Sequence, residues 1–150
     1  MTGDAGFTIR AYRDADNAAL AALWLDACKK VHGFLGAQVL QRQQALVAEH
    51  YLPGSETWVA VSGGAQLGFI GLLDDFIGGL FVDPGAQRQG VGRALVDFAQ
   101  TLKGQLWLDV YEANAAARGF YARLGFEQTG RRAQDDLANP YPLIRLTRTR

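Results

Sequence analysis

Apolar and polar positions follow two different periods along this chain. Residues 7–12 alternate one by one, which predicts a first β-strand. Apolar residues then recur every three or four positions, which predicts an amphipathic helix that Asp14 or Asp16 would cap. The apolar face of this helix consists of Leu20, Leu23, Trp24, Ala27 and Cys28. A second helix is predicted over residues 37–51 and is expected to end before Pro53.

Strand patterns are frequent in the rest of the chain. Two apolar runs flank the pair Gly63-Gly64, and a third run follows Asp74-Asp75, which is the arrangement of consecutive hairpins. A helix then precedes a buried strand, and another helix ends at Gly125, the usual glycine position after a helix. The predicted strands cover residues 57–62, 65–73, 76–82, 105–111, 126–132 and 141–148, and the predicted helices cover residues 91–102 and 114–124.

This order of elements predicts the fold class. Antiparallel strands come first and a strand–helix–strand–helix series follows. That order is typical of a mixed α/β (α+β) fold with a mostly antiparallel central sheet, flanking helices and one parallel crossover. The chain has 150 residues and shows no internal repeats or linkers, so we expect a single domain over residues 1–150.

Charge and cysteine content narrow the function classes. Fifteen basic and fifteen acidic residues cancel, and no basic run occurs, which argues against nucleic acid or a membrane as a partner. The first residues lack the apolar core of a signal peptide, and the single cysteine, Cys28, excludes an internal disulfide. We therefore expect a cytoplasmic protein. No metal site is expected, because His32 and His50 lack partners at ligand spacing.

Residues 87–93, QRQGVGR, carry the clearest chemical signal. Gly90 and Gly92 lack side chains, so a ligand can approach the main chain closely. The amides of residues 88–93 begin the predicted helix and have no intrahelical acceptor, and the helix dipole adds partial positive charge there. The loop therefore predicts an anion site for a phosphate or pyrophosphate, with Arg88 and Arg93 at its rim.

Three other interpretations of this loop stay open on the residues alone. A Walker loop would need Lys-Ser or Lys-Thr after the glycines, and neither follows them. A dinucleotide fingerprint would need a third glycine where Leu95 stands, although Asp109 lies at a suitable distance downstream. A helix start with two incidental glycines would bind no ligand.

The motif QRQGVG, residues 87–92, resembles the Q/R-x-x-G-x-G/A signature of the GCN5-related N-acetyltransferases, the GNAT family. LFVDP before it and NAAARGFYARLGF after it are similar to that family's neighbouring motifs, in the same order and spacing. The resemblance implies acetyl-CoA (coenzyme A) as co-substrate, without a metal, held by a splayed parallel strand pair. HGF at residues 32–34 and DDLANPYPL at residues 135–143 are similar to the bacterial YjaB-type branch, which implies amine acceptors that include protein lysines.

The resemblance also implies contacts with the cofactor. The backbone of Leu80, Phe81 and Val82 would line the pantetheine arm. The Val82 amide would donate to the thioester oxygen, a type of contact worth about 3 kcal/mol. Asn114 would contact the pantetheine from the opposite side. The pyrophosphate would bind the amides of Arg88, Gln89, Gly90, Val91, Gly92 and Arg93.

Three residues are candidates for the chemistry. Tyr121 matches a family tyrosine near the cofactor sulfur, and a phenol with a pKa of about 10 can protonate a thiolate whose pKa is about 8.5. The alternative is a tyrosine whose ring only packs on the sheet. Asp109 or Glu112 is the candidate base, because some relatives keep a glutamate at the position of Asp109. Alternatively, both carboxylates are solvated or cap the helix that follows Asn114.

Acceptor recognition is expected in the N-terminal helices and the C-terminal hairpin. The candidate residues are Trp24, His32, Phe34 and Tyr141. Tyr141 stands between two prolines in a rigid segment that would form a pocket wall or a homodimer contact. We expect a primary amine, in a small molecule, a protein lysine or an N-terminus, to attack acetyl-CoA directly in a ternary complex. The alternatives are an acyl-CoA-binding regulator without turnover and a dinucleotide enzyme.

Overall fold

The chain divides into two compact units. The computed structural model describes residues 6–32, 36–86, 89–135 and 140–149. The first unit comprises Met1–Asp74 and Gly78–Phe98, and the second comprises Asp75–Ile77 and Ala99–Arg150.

Twelve regular elements and three short turns make up the described residues. The helices are α1 (Asn17–His32), α2 (Ala37–Leu46), α3 (Leu52–Gly54), α4 (Val91–Lys103) and α5 (Ala115–Arg123). The strands are β1 (Thr8–Ala11), β2 (Glu56–Ser62), β3 (Ala65–Leu73), β4 (Phe76–Val82), β5 (Gln105–Tyr111), β6 (Glu127–Arg132) and β7 (Leu143–Thr149). A π-helical turn (Val47–Tyr51) joins α2 to α3, and 3₁₀ turns cover Asp14–Asp16 and Pro84–Ala86.

In the first unit, strands β1 to β4 lie side by side in chain order. β1 pairs with β2 and β2 pairs with β3 in antiparallel registers, and Val59 stands opposite Phe69. Gly63 and Gly64 form the turn between β2 and β3 with φ values of 54° and 83°. Glycine adopts this left-handed conformation without strain, which allows a two-residue hairpin turn.

The core of the first unit combines side chains from α1, α2, β2 and β3. Leu20, Leu52, Val59 and Phe69 are fully buried in it, and burial of each such side chain contributes about 1.5–3 kcal/mol. The buried cluster comprises Leu20, Leu23, Trp24, Cys28, Leu40, Val47, Leu52, Val59 and Phe69. Burial raises the pKa of the Cys28 thiol to about 11, so this cysteine is a packing residue.

One ion pair holds the segment before α1. The Asp16 carboxylate, 2% exposed, accepts hydrogen bonds from Arg10 Nη1 and Nη2 at 2.7 and 2.8 Å. It also accepts the Arg13 backbone N–H at 2.9 Å and the Gln66 amide at 3.1 Å. These donors, with Arg10 first, hold the pKa of Asp16 well below its usual range.

In the second unit, β7 lies between β5 and β6 and pairs antiparallel with both. The start of β4 pairs with β5 in parallel, and Phe76 stands opposite Trp107. The Trp107 indole N–H donates to Asp75 Oδ1 at 3.1 Å, which anchors this pair at its edge. Helix α5 is followed by Gly125 at a φ of 92°, the left-handed position that ends many helices.

The expected fold class is confirmed: the described strands form a mixed, mostly antiparallel sheet with a parallel pair, together with flanking helices. Two local expectations were wrong. Asp14 and Asp16 form a 3₁₀ turn before α1, and the Asp16 carboxylate binds Arg10 and Arg13. The second helix changes to a π turn after Leu46, and the helical path continues through Pro53, because proline is tolerated in the first turn of α3.

Candidate active site

The glycine loop leads directly into α4 in the first unit. Gly90 has a φ of 79° and its carbonyl accepts the Ala94 amide at 3.0 Å, the first helical bond here. The amides of Val91, Gly92 and Arg93 therefore precede any intrahelical acceptor. This is the local geometry of a helix N-terminal anion site. Arg88 lies outside the described residues.

Exposure differs among the residues of this segment. Val91 and Gly92 are buried, whereas Gln89 and Gly90 are exposed. The Arg93 side chain is exposed and lies 3.8 Å from Asp97, one turn further along α4. Because an exposed pair at this distance contributes little, the Arg93 charge stays accessible to solvent and to anions.

The end of β4 is set by a close approach of β3. A Cβ atom at Gly68 would lie 2.8 Å from the Phe81 carbonyl oxygen and 3.3 Å from Val82 Cα. Only glycine allows these two backbones to come so close. The Phe81 ring packs on Phe69, with ring centroids 5.4 Å apart. Leu80, Phe81 and Val82 are each half-buried.

A groove with mostly apolar walls lies in the first unit, with a volume of about 540 Å³. Trp24, predicted to bind the acceptor, lines it and also contacts Phe81 edge-on, with centroids 6.4 Å apart. The groove is lined by Trp24, Gln43, Leu46, Val47, His50, Tyr51, Gly54, Ser55 and Leu73.

The two carboxylates predicted as bases lie in the second unit and are both held by arginines. Asp109, 15% exposed, accepts Arg145 Nε at 3.1 Å and Arg132 Nη2 at 3.2 Å. Glu112 accepts Arg131 Nε at 2.8 Å, and this bond lowers the pKa of Glu112. Both groups are therefore acceptors in ion pairs, and their part in proton transfer stays a prediction.

Asn114 and Tyr121 are positioned by α5. Asn114 is the N-cap residue, and its Oδ1 accepts the Ala117 amide at 3.1 Å. Tyr121 is 9% exposed, and its ring packs edge-on against Phe120 and Phe126 at centroid distances of 5.0 and 5.2 Å. The ring is therefore fixed by packing, and the predicted acid role of its hydroxyl stays a prediction.

The other acceptor candidates have different surroundings. His32 is the last residue of α1, and Phe34 lies outside the described residues. Tyr141 is exposed in the second unit and contacts Tyr111 edge-on, with centroids 6.3 Å apart. Of the predicted acceptor residues, Trp24 lines the groove.

Sequence reasoning missed two features of the first unit. Gly68 was assigned to a strand without a role, although a glycine inside an apolar strand is a signal for close backbone approach. Tyr51 was assigned to the end of a helix, although it lines the groove. Its contacts come from glycines more than fifteen residues away in the chain, which no local pattern relates to it.

The described residues contain neither a cluster of metal-ligating side chains nor a helix able to cross a membrane. No group of three or more histidine, cysteine, aspartate or glutamate side chains there is arranged to hold a metal ion. Among the helices in that part of the chain, none combines the length and apolar character needed to span a bilayer.

The fold and the site together define an α/β protein with a mixed sheet and a glycine-led helix start whose first amides lack an intrahelical acceptor. Residues 53–128 match the family model of the acetyltransferase (GNAT) domain, and the chain belongs to this family of N-acetyltransferases. The peptidyl-lysine N-acetyltransferase YjaB of Escherichia coli is 39% identical over 140 residues, which cover 93% of this chain and 95% of YjaB.

Other relatives agree with this assignment. The peptidyl-lysine N-acetyltransferase YiaC of Escherichia coli is 32% identical over 88% of this chain and 91% of its own length. The solution structure of apo-YjaB from Escherichia coli superimposes with a TM-score of 0.82, at 37% identity, and covers 94% of this chain and 96% of that one. The PaiA N-acetyltransferase of Thermoplasma acidophilum, solved with coenzyme A, shares the fold with a TM-score of 0.73 at 14% identity, over 93% of this chain and 97% of PaiA.

Proposed function

We propose that this protein transfers the acetyl group of acetyl-CoA to the ε-amine of lysine residues in proteins. The start of α4 carries the cofactor part of the proposal, because the amides of Val91, Gly92 and Arg93 precede the first helical bond and have no acceptor within the helix, which suits a pyrophosphate. Two relatives that match most of the chain bear the name peptidyl-lysine N-acetyltransferase, which supports lysine over other primary amines.

The proposed reaction is a direct transfer in a ternary complex. The neutral amine nitrogen attacks the thioester carbonyl, the C–N bond forms, and the C–S bond breaks to release coenzyme A as a thiolate. The Val82 amide stabilises the charge that develops on the carbonyl oxygen. Tyr121 protonates the thiolate. The proton lost by the attacking amine passes to water, through Asp109 or Glu112.

The cofactor part of the proposal has a matched pair of variants. Gly90 and Gly104 stand before and after α4, both have positive φ, and neither has an atom within 4 Å of an added Cβ. Alanine at either position strains the backbone by about 1 kcal/mol. We expect both variants to lose similar stability, whereas only Gly90→Ala weakens coenzyme A binding in calorimetry, by about tenfold. Equal affinities in the two variants would contradict the loop assignment.

The activity is tested by thiol release. Purified protein with acetyl-CoA is expected to release coenzyme A and to add one acetyl group to a peptide with a single lysine and a blocked N-terminus. The same peptide with its lysine already acetylated is the control. Tight coenzyme A binding without thiol release, for any lysine peptide or small amine, would favour the regulator without turnover. Release with small amines alone would move the acceptor class away from protein lysines.

A further inference from the structure

The π-helical turn Val47–Tyr51 contributes three residues to the lining of the groove in the first unit, Val47, His50 and Tyr51. A π turn adds one residue to an α-helix and is frequent at functional sites. Asn17 Nδ2 donates to the Ala48 carbonyl of this turn at 2.8 Å and to the Tyr12 hydroxyl at 2.9 Å. The turn is therefore fixed from α1, and His50 and Tyr51 line the groove next to it.

The phenol end of Tyr51 lies over three glycines on two neighbouring strands. An added Cβ atom would lie 2.6 Å from the Tyr51 hydroxyl oxygen at Gly71, 2.8 Å from it at Gly78 and 2.7 Å from it at Gly79. Any larger residue at these positions would displace the ring. The hydroxyl therefore occupies a space over β3 and β4 that exists only because these three positions are glycines.

The Tyr51 hydroxyl is buried and has no hydrogen-bond partner in the described part of the chain. An unpaired buried hydroxyl destabilises a folded protein, and phenylalanine would avoid this penalty while filling the same space. Burial raises the pKa of Tyr51 to about 12, so the phenol stays neutral at assay pH. Because this neutral hydroxyl has no hydrogen-bond partner in the described residues, a polar group of a ligand is suited to supply one.

The Tyr51 hydroxyl lies against the part of β4 that precedes the proposed thioester site. Gly78 and Gly79 directly precede the segment proposed to hold the thioester, and the strand advances about 3.3 Å per residue. Gly79 and Gly78 stand three and four residues before Val82, so the hydroxyl lies over β4 about 10–13 Å along the strand from Val82. Gly78 is exposed, so this edge of β4 is open to a ligand. A lysine stem of four methylenes matches the apolar groove wall at Trp24.

We propose that this groove binds the acceptor lysine and that the Tyr51 hydroxyl accepts a hydrogen bond from its amine. This inference rests on the proposed function and assigns the acceptor site within it. The ring turns outward toward the open groove when the lysine arrives. Since the hydroxyl has no hydrogen bond to break, only packing opposes that movement.

The decisive variant is Tyr51→Phe, with Tyr12→Phe as its matched control. Tyr51→Phe removes only an unpaired hydroxyl, so its thermal unfolding midpoint should equal or exceed that of the wild type. Its affinity for acetyl-CoA should not change, while KM for a lysine peptide should rise about fivefold to tenfold with kcat nearly unchanged. Tyr12→Phe removes a hydroxyl bonded to Asn17, so it should lower the midpoint and leave KM unchanged.

Peptide binding gives a second readout that does not require turnover. Calorimetry compares a lysine peptide with the same peptide containing norleucine, which keeps the stem and lacks the amine, on protein saturated with coenzyme A. The wild type should prefer lysine, and Tyr51→Phe should lose most of that preference. Wild-type KM and preference in Tyr51→Phe, or parallel losses of stability and acetyl-CoA affinity, would overturn this inference alone. Absence of thiol release by the wild type with every lysine substrate would overturn the proposed function, and this inference with it.

Discussion

The two compact units of this acetyltransferase use charge in opposite ways. In the first unit, the Asp16 side chain is almost fully buried and is held by Arg10. In the second unit, Asp109 and Glu112 lie nearer the surface and share their charge with three arginines. The difference separates a buried carboxylate that maintains structure from carboxylates that remain partly accessible to solvent.

The largest effect on stability is expected at the buried pair. Asp16→Asn leaves Arg10 beside a neutral amide and should lower the free energy of unfolding by about 3 kcal/mol, because breaking a buried pair strands a charge. Glu112→Gln, in the exposed pair with Arg131, should shift the urea midpoint far less. Similar midpoint shifts in the two variants would show that the Asp16–Arg10 pair is no more important for stability than the Glu112–Arg131 pair.

The pH dependence of this effect has a defined sign. Arg10 lowers the pKa of Asp16 in the folded state, so the contribution of Asp16 to stability is fully present above its ordinary pKa of about 3.9. It is lost as the pH falls from there through the depressed folded value. The stability difference between wild type and Asp16→Asn should therefore be constant near neutrality and should shrink below about pH 4.

The next largest effect is expected at Tyr121 in the second unit. Tyr121→Phe should lower kcat about 100-fold, because the leaving thiolate loses its proton donor, while acetyl-CoA affinity stays unchanged. Steady-state kinetics and calorimetry measure the two quantities. Tyr111→Phe, in an exposed tyrosine of the same unit, is the control and should retain activity. Wild-type turnover in Tyr121→Phe would leave its ring with a packing role only.

A smaller effect is expected at Gly68, where the backbones of β3 and β4 come close together. Gly68→Ala places a Cβ against the Phe81 carbonyl and Val82, which should cost about 1–3 kcal/mol of stability. Because Val82 shifts with it, coenzyme A affinity should fall as well. Gly130→Ala is the control, since its Cβ would make an ordinary contact of 3.5 Å with Arg145. Unchanged affinity in Gly68→Ala would show that the backbone position there is not critical for the cofactor.

The smallest effects are expected at the two carboxylates of the second unit, Asp109 and Glu112. Arg131 lowers the pKa of Glu112, so Glu112 stays ionised, and able to accept a proton, to a lower pH than an ordinary glutamate. Whichever of Asp109→Asn and Glu112→Gln removes the base should lower kcat about tenfold and alter the acidic limb of the pH–rate profile. Glu127→Gln serves as the control. An unchanged profile in both variants would assign the proton directly to water.

Local patterns were sufficient for most elements of the fold. The bounds of β3, β4 and β5 follow from alternation and flanking turns, and the start of α4 follows from its glycines. The arginine partners of Asp109 could not be foreseen, because Arg132 and Arg145 reach it through the pairing of β5, β6 and β7. Strand register depends on the whole sheet, and no short segment encodes it.

The π turn shows a second limit of local reasoning. Residues 37–51 carry one continuous helical pattern, and an extra residue in the turn changes neither composition nor apolar content. Its presence depends on tertiary contacts, among them the bond from Asn17 to the Ala48 carbonyl. The space over Gly71, Gly78 and Gly79 is likewise created by the fold, since Tyr51 meets these glycines only after β3 and β4 are assembled.

The π turn also has an evolutionary consequence. Because a π turn accommodates one extra residue, loss of a single codon within residues 47–50 would return this segment to a regular helix and change the local path that carries Tyr51 over its glycines. The phenol would then leave its glycines in one genetic step, without any substitution in the cofactor segment. Given the proposed roles of the groove and of the α4 start, descendants of such a deletion would differ in acceptor choice and would still bind coenzyme A.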